Sequence, residues 1–242
     1  MTTIEDILML VDTLAPNNCT KQQKLYWFNQ CESIIFEKAA HRYKYVETKV
    51  SAGIVELPEG YNSSDIEAVY IDGKFVGRIN VSLGFGNIVS PQSKVIGVVL
   101  KEHYKEIKYT AYEGSIAFQG STIIMPGHPF VSGDSIDIDS SGFQGRVKVL
   151  GTSGNSIYTS NNFVTNTVTG KAEKALDTEV SLKMPYDRLY IDYITAQIDY
   201  YNKDFEGYNN NMYIFDKMLD ELTRTNKSRS FGVGLKKLVH IW

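Results

Sequence analysis

The chain has two cysteines and four histidines in 242 residues, too few for a disulfide scaffold and thin material for a metal centre. Cys19 and Cys31 both fall in the first segment, and they are expected to be a loop thiol and a helix-face thiol kept reduced. The opening MTTIEDILML is acidic and has no basic region, so no secretory leader is expected. No apolar run approaches the roughly 20 residues that cross a bilayer, which predicts no membrane partner. An excess of one charge is also missing: 25 Lys and Arg stand against 28 Asp and Glu, a net charge of −3. That speaks against a sequence-reading nucleic-acid binder, which carries a basic face. A mildly acidic wall would still let a duplex slide past. Tryptophan is scarce too, and Trp27 and Trp242 both lie outside the strand-rich region where a sugar-stacking surface would need them.

What is present suits a folded chain. Hydrophobic residues make up 43% and charged residues 22%, and the length is enough to bury a sizeable core. The 16 tyrosines are the unusual count, and a ring with a polar tip suits surfaces covered by another protein.

Thr3 with Asp6, and Thr20 with Gln23, have the spacing of capping boxes. Helical spacing follows each: Ile4, Ile7, Leu8, Val11 and Leu14, stopped by Pro16; then Leu25, Phe28, Cys31, Ile35 and Ala39, ending near His41. The short connection predicts a helical hairpin. From Arg42 the period becomes strand-like. RYKYVETKV and GIVELPEGY read as strands, IEAVYIDGKFV as a hairpin turning at Asp72-Gly73. Further strands are expected at 95–100, 107–112, 115–118, 121–125, 134–138, 145–150, 156–159 and 178–183. Their close punctuation by Gly, Asn and Ser predicts an antiparallel sandwich or barrel.

After Pro185, Ile191, Ile194, Ile198, Tyr201, Phe205, Tyr208, Met212, Phe215, Leu219 and Leu222 alternate at three and four. This is a packing stripe over about four heptads, which predicts a long helix from 186 to 224. Gly207 and Asn209-Asn210-Asn211 fall inside it, leaving a break near Gly207 open. The last segment carries Arg224, Lys227, Arg229, Lys236 and Lys237 with no acid, and ends on Leu238, Ile241 and Trp242. It reads as an extended docking arm, 225–242, whose Arg229, Lys236, Lys237, Leu238, Ile241 and Trp242 meet a partner.

Chemical motifs are weak. Gly84-Phe85-Gly86 lacks the third glycine of a dinucleotide fingerprint. Gly151-Thr152-Ser153-Gly154-Asn155 is one residue short of a nucleophile elbow and sits between strands. Asp137, Asp139, Ser141 and Gly142 imitate half a calcium loop, but the closing glutamate would fall on Lys148. The expectation is a non-enzymatic chain with no catalytic residue, metal or cofactor.

Three stretches, in order, resemble the head–tail adaptor (connector or head-completion) subunits of tailed bacteriophages. They are the helical pair ending in CESIIFEKAAHRYKY, the segment ELPEGYNSSDIEAVYIDGKFV, and LKMPYDRLYIDYITAQIDYYNKDFEGYNNNMYIFDKMLDELTR. Together they cover about half the chain, while 90–180 departs from the smallest adaptors. The resemblance implies a homo-oligomeric ring, commonly of twelve copies, in the neck of a virion. That ring sits beneath the portal protein, meets the next tail-ward connector or tail terminator, and lets genomic double-stranded DNA through without reading it. Assembly in the host cytoplasm goes with it.

The fold expected is α+β: a helical hairpin (1–41) and a C-terminal helix (186–224) forming a helical domain, with an inserted antiparallel β domain (42–185). The competing function is a receptor- or carbohydrate-binding β-sandwich of a tail fibre or other structural protein.

Overall fold

The structure, a computed structural model, describes residues 2–39, 43–48, 50–51, 54–55, 57–71, 73–77 and 96–233; the side chains of 50–51, 54–55, 63, 75–77 and 227–233 are not among what it describes. The fold is mixed α+β. By compactness the chain falls into two units, residues 1–31 with 106–218, and residues 32–105 with 219–242.

Both predicted capping boxes are formed. Helix α1 (Ile4–Leu14) opens with the Asp6 amide donating to Thr3 Oγ1 at 3.1 Å and the Thr3 amide donating to Asp6 Oδ2 at 2.8 Å. Helix α2 (Lys21–Lys38) repeats the exchange, Gln23 N to Thr20 Oγ1 at 3.2 Å and Thr20 N to Gln23 Oε1 at 2.8 Å. The apolar faces are buried as their spacing requires, except Leu14, which is 62% exposed. Neither cysteine is in a disulfide; both are buried, and the Cys31 thiol donates to the Leu189 carbonyl.

In the unit of 32–105 and 219–242, strands β1 (Tyr43–Thr48), β4 (Ile66–Ile71), β5 (Lys74–Gly77) and β6 (Ile96–Lys101) form an antiparallel sheet in the order β1-β6-β4-β5. Strands β2 (Val50–Ser51) and β3 (Ile54–Val55) pair separately. The sheet buries Ile66, Val69, Ile96, Val98 and Leu100. Ile71 pairs with Lys74 across a two-residue turn in which Gly73 has φ +75°; Asp72 lies outside the described residues.

In the unit of 1–31 and 106–218, strands β7 (Ala111–Ile124), β8 (Ser135–Ser140), β9 (Gln144–Lys148), β10 (Gly151–Ser153) and β11 (Ser156–Lys174) make a five-stranded antiparallel sheet centred on β11. β7 runs along one edge of β11, with bulges between Tyr158 and Asn166; β8 and β10 take parts of the other edge. The core holds Ile116, Phe118, Ile123, Met125, Ile136, Ile138, Val147 and Ile157, with Phe118, Phe143 and Phe163 in mutual ring contact at 5.1–6.1 Å.

Three expectations are corrected. The strands expected at 115–118 and 121–125 are one strand, β7, because Gly114 and Gly120 stay inside the ladder opposite Gly170 and Phe163; of the strand expected at 107–112 only 111–112 belong to it, and 107–110 are not strand. Residues 178–183 are not a strand; this stretch makes one bridge, Thr3 to Glu179, and the Thr178 and Leu176 carbonyls accept from the orphan amides of Ile4 and Glu5 at the start of α1. The long helix of 186–224 is two helices, α3 (Arg188–Tyr201) and α4 (Phe205–Val233), and the second runs nine residues past Arg224, so 225–233 are helical, not extended. Gly232 is tolerated because its cost, about 1 kcal/mol, is small against a helix of 29 residues.

Candidate contact surface

The expected stripe folds back on itself. Tyr193 of α3 meets Phe215 of α4 with ring centroids 5.1 Å apart, Tyr200 meets Tyr208 at 5.3 Å, and Asn211 Nδ2 donates to Asp199 Oδ2 at 2.8 Å. Partners whose numbers rise on one helix as they fall on the other define an antiparallel αα-hairpin. The turn is Asn202-Lys203-Asp204, ahead of Gly207. Asp204 N donates to Asp199 O at 2.8 Å and Lys203 N to Tyr200 O at 3.0 Å, the two bonds of a Schellman cap, with Lys203 in the left-handed region at φ +63°. Asp204 then caps α4, accepting from Gly207 N at 2.9 Å.

The stripe divides accordingly. Ile194, Ile198, Phe215, Leu219 and Leu222 are buried, Tyr208 and Met212 half-buried, and Tyr201 and Phe205 are 59% and 57% exposed. These last two flank the turn, where neither helix has a core opposite. Tyr200 is 57% exposed beside them and meets Phe205 edge-on at 5.9 Å, and Tyr213 stands out further along α4. The hairpin tip therefore presents a cluster of aromatic rings to solvent. Aromatic rings carry much of the energy where proteins bind.

Its surroundings are acidic. Asp199, Asp204 and Glu206 lie within eight residues that hold one cation, Lys203. A Cβ on Gly207 would stand 2.7 Å from Asp204 Oδ2 and 2.9 Å from Asp199 Oδ2, so both carboxylates close over this glycine. Burial pushes the Asp199 carboxyl above its usual range, and the charge of Asp204 adds to this, against the bond from Asn211.

The other residues named from sequence are placed as follows. Arg229 is in α4, its side chain outside what is described; Lys236, Lys237, Leu238, Ile241 and Trp242 lie outside the described residues, as do Gly84-Phe85-Gly86. Of Gly151–Asn155, the first three residues are strand β10 and Gly154-Asn155 is the tight turn joining it to β11, with Gly154 at φ +57°. The aspartates of the half calcium loop are taken by cations and amides. Arg146 forks onto Asp137 at 2.7 and 2.8 Å and reaches Glu5 at 2.7 Å, and Gln144 donates to Asp139; Asp134, just ahead of the loop, pairs with Lys174 at 2.6 Å. Arg146 is held charged by Asp137 and then Glu5.

Sequence reading missed one His–carboxylate pair, His103 Nε2 to Asp65 Oδ1 at 2.9 Å, since the partners are 38 positions apart. Asp65 also accepts from Asn62 N at 2.8 Å. Burial raises its carboxyl, but the Asn62 amide, His103 and Lys101 outweigh this and hold it below the usual range. The pair closes the turn before β4. Among the described residues, no three of His, Cys, Asp and Glu converge as metal ligands, and no helix is long and apolar enough to cross a membrane.

No family model matches the chain, and neither a curated protein nor a solved structure matches it.

Proposed function

We propose that the chain is a structural subunit of a homo-oligomeric ring, a head–tail adaptor in the neck of a tailed bacteriophage, rather than an enzyme. The observation that carries this reading is the exposed aromatic tip of the α3–α4 hairpin, a surface that water solvates poorly and a neighbouring protein would cover. Most of the stripe beneath it is already buried, and α3 packs on α1 as well, so the tip, not a free helical face, is the contact. Each subunit offers it to a different surface of the next copy, and a heterologous contact closes into a ring when the rotation allows, commonly at twelve copies for the family resembled. The ring sits beneath the portal protein and joins it to the next tail-ward connector or tail terminator, assembling in the host cytoplasm. A net charge of −3 suits a channel that passes duplex DNA without holding it.

Native mass measurement of the purified protein, alone and mixed with portal rings, tests this. The expected result is a portal complex heavier by a whole multiple, near twelve, of 27.3 kDa. A chain that stays monomeric and ignores portal sinks the reading. Micromolar binding on a glycan array would favour the receptor- or carbohydrate-binding alternative instead.

A further inference from the structure

Resting on the ring reading, the geometry points to the α3–α4 hairpin tip as the seat for residues 234–242 of a second copy of this chain. The two surfaces match in chemistry. The segment GLKKLVHIW places Lys236 and Lys237 among Leu235, Leu238, Val239, Ile241 and Trp242 and contains no acid. The tip sets Tyr200, Tyr201 and Phe205 beside Asp199, Asp204 and Glu206, with Lys203 the only cation in the turn. Asp199 and Asp204 crowd one glycine, and their mutual repulsion is what an incoming ammonium would relieve. Tyrosine rings also take up lysine ammonium groups on their faces.

The occupant has to come from another copy. α4 has 29 residues, so its ends lie about 42 Å apart at 1.5 Å per residue. Trp242 is nine residues beyond Val233, a reach of at most about 32 Å. Ile241 and Trp242 therefore fall short of Phe205 in their own chain, and pairing in trans repeats from copy to copy.

The test places a benzoylphenylalanine at Tyr201 in the full chain and mixes isotope-heavy with isotope-light protein before irradiation. Expected are cross-links from position 201 to 234–242 that join heavy to light chains. Lys236→Glu with Lys237→Glu should cut their yield by about tenfold, and adding Glu206→Lys should restore much of it. Cross-links found only within one isotope overturn the inference, and so does a 234–242 segment that cross-links to portal alone while copies still assemble; the ring reading survives both. A chain that neither cross-links between copies nor joins portal removes both readings.

Discussion

Lys203 occupies the position of the α3–α4 turn where a side chain costs most. It is the one non-glycine residue with positive φ among those described, at +63°, and it fills the cap position that glycine usually takes. A left-handed residue with a Cβ costs about 1–2 kcal/mol, and glycine gives back part of that gain through a looser unfolded chain. Lys203→Gly should therefore raise stability by about 0.5–1 kcal/mol, read by urea unfolding; a loss would show that the lysine side chain makes a contact worth more than the strain. Asp192 is the second residue with a cost. It is 5% exposed on α3, burial raises its carboxyl above the usual range, and Arg188, 3.3 Å away, only partly opposes this. A raised folded value means the protonated form stabilises. That stability is fully present below the unfolded carboxylate value of about 4, and it is lost as pH rises through the folded one. Asp192→Asn should thus move the urea midpoint upward at pH 7 and leave it unchanged at pH 3.5. An equal shift at both values would mean that ionisation is not the cause.

At the scale of elements, the α3–α4 hairpin separates residues that the heptad pattern treats alike. Phe215 is 1% exposed and packs on Tyr193; Phe205 is 57% exposed. Phe215→Ala should cost about 3–5 kcal/mol and Phe205→Ala less than about 1 kcal/mol in the same thermal or urea experiment. Comparable losses would mean that the tip is covered within the chain. The turn left little trace in the sequence for a geometric reason. Asn202, Lys203 and Asp204 keep Tyr201 and Phe205 four apart, so the count of threes and fours passes through a reversal of direction unchanged. Gly207 and the Asn209–Asn211 run mark a weak point in the pattern, and Asp204 three before Gly207 has the spacing of a cap, which places the break just ahead of that glycine. The helix starts at Thr3 and Thr20 were legible because capping is decided within four residues. The expected strand stops at 159 because SNN and TNT resemble loop composition, yet Phe163, Thr167, Val168 and Thr169 pair with β7 well beyond that point. Candidate site residues fared likewise: Tyr201 and Phe205 were singled out as packing positions, and only the fold turns them outward.

At the scale of the whole molecule, each of the two units carries a buried cluster built on its own sheet. Ile66, Val69, Ile96, Val98 and Leu100 form one, and the cluster around Ile116, Phe118 and Ile138 the other. The chain passes between the units at 31/32, 105/106 and 218/219, and the first and last crossings fall inside α2 and α4. Each cluster is apolar and packed within its own sheet, so each should open as its own cooperative unit. Leu100 is fully buried at the centre of its sheet, opposite Lys44 on β1 and Ile66 on β4. Leu100→Ala removes about 2–5 kcal/mol of packing from that cluster alone. Hydrogen exchange should then quicken in β1, β4 and β6 and in the parts of α2 and α4 beyond residues 32 and 219. The amides of β7, β8 and β11 should keep their rates. A uniform acceleration across all of them would mean that the helices spanning the crossings weld the chain into one unfolding unit, and the two clusters would then have to be treated as one core.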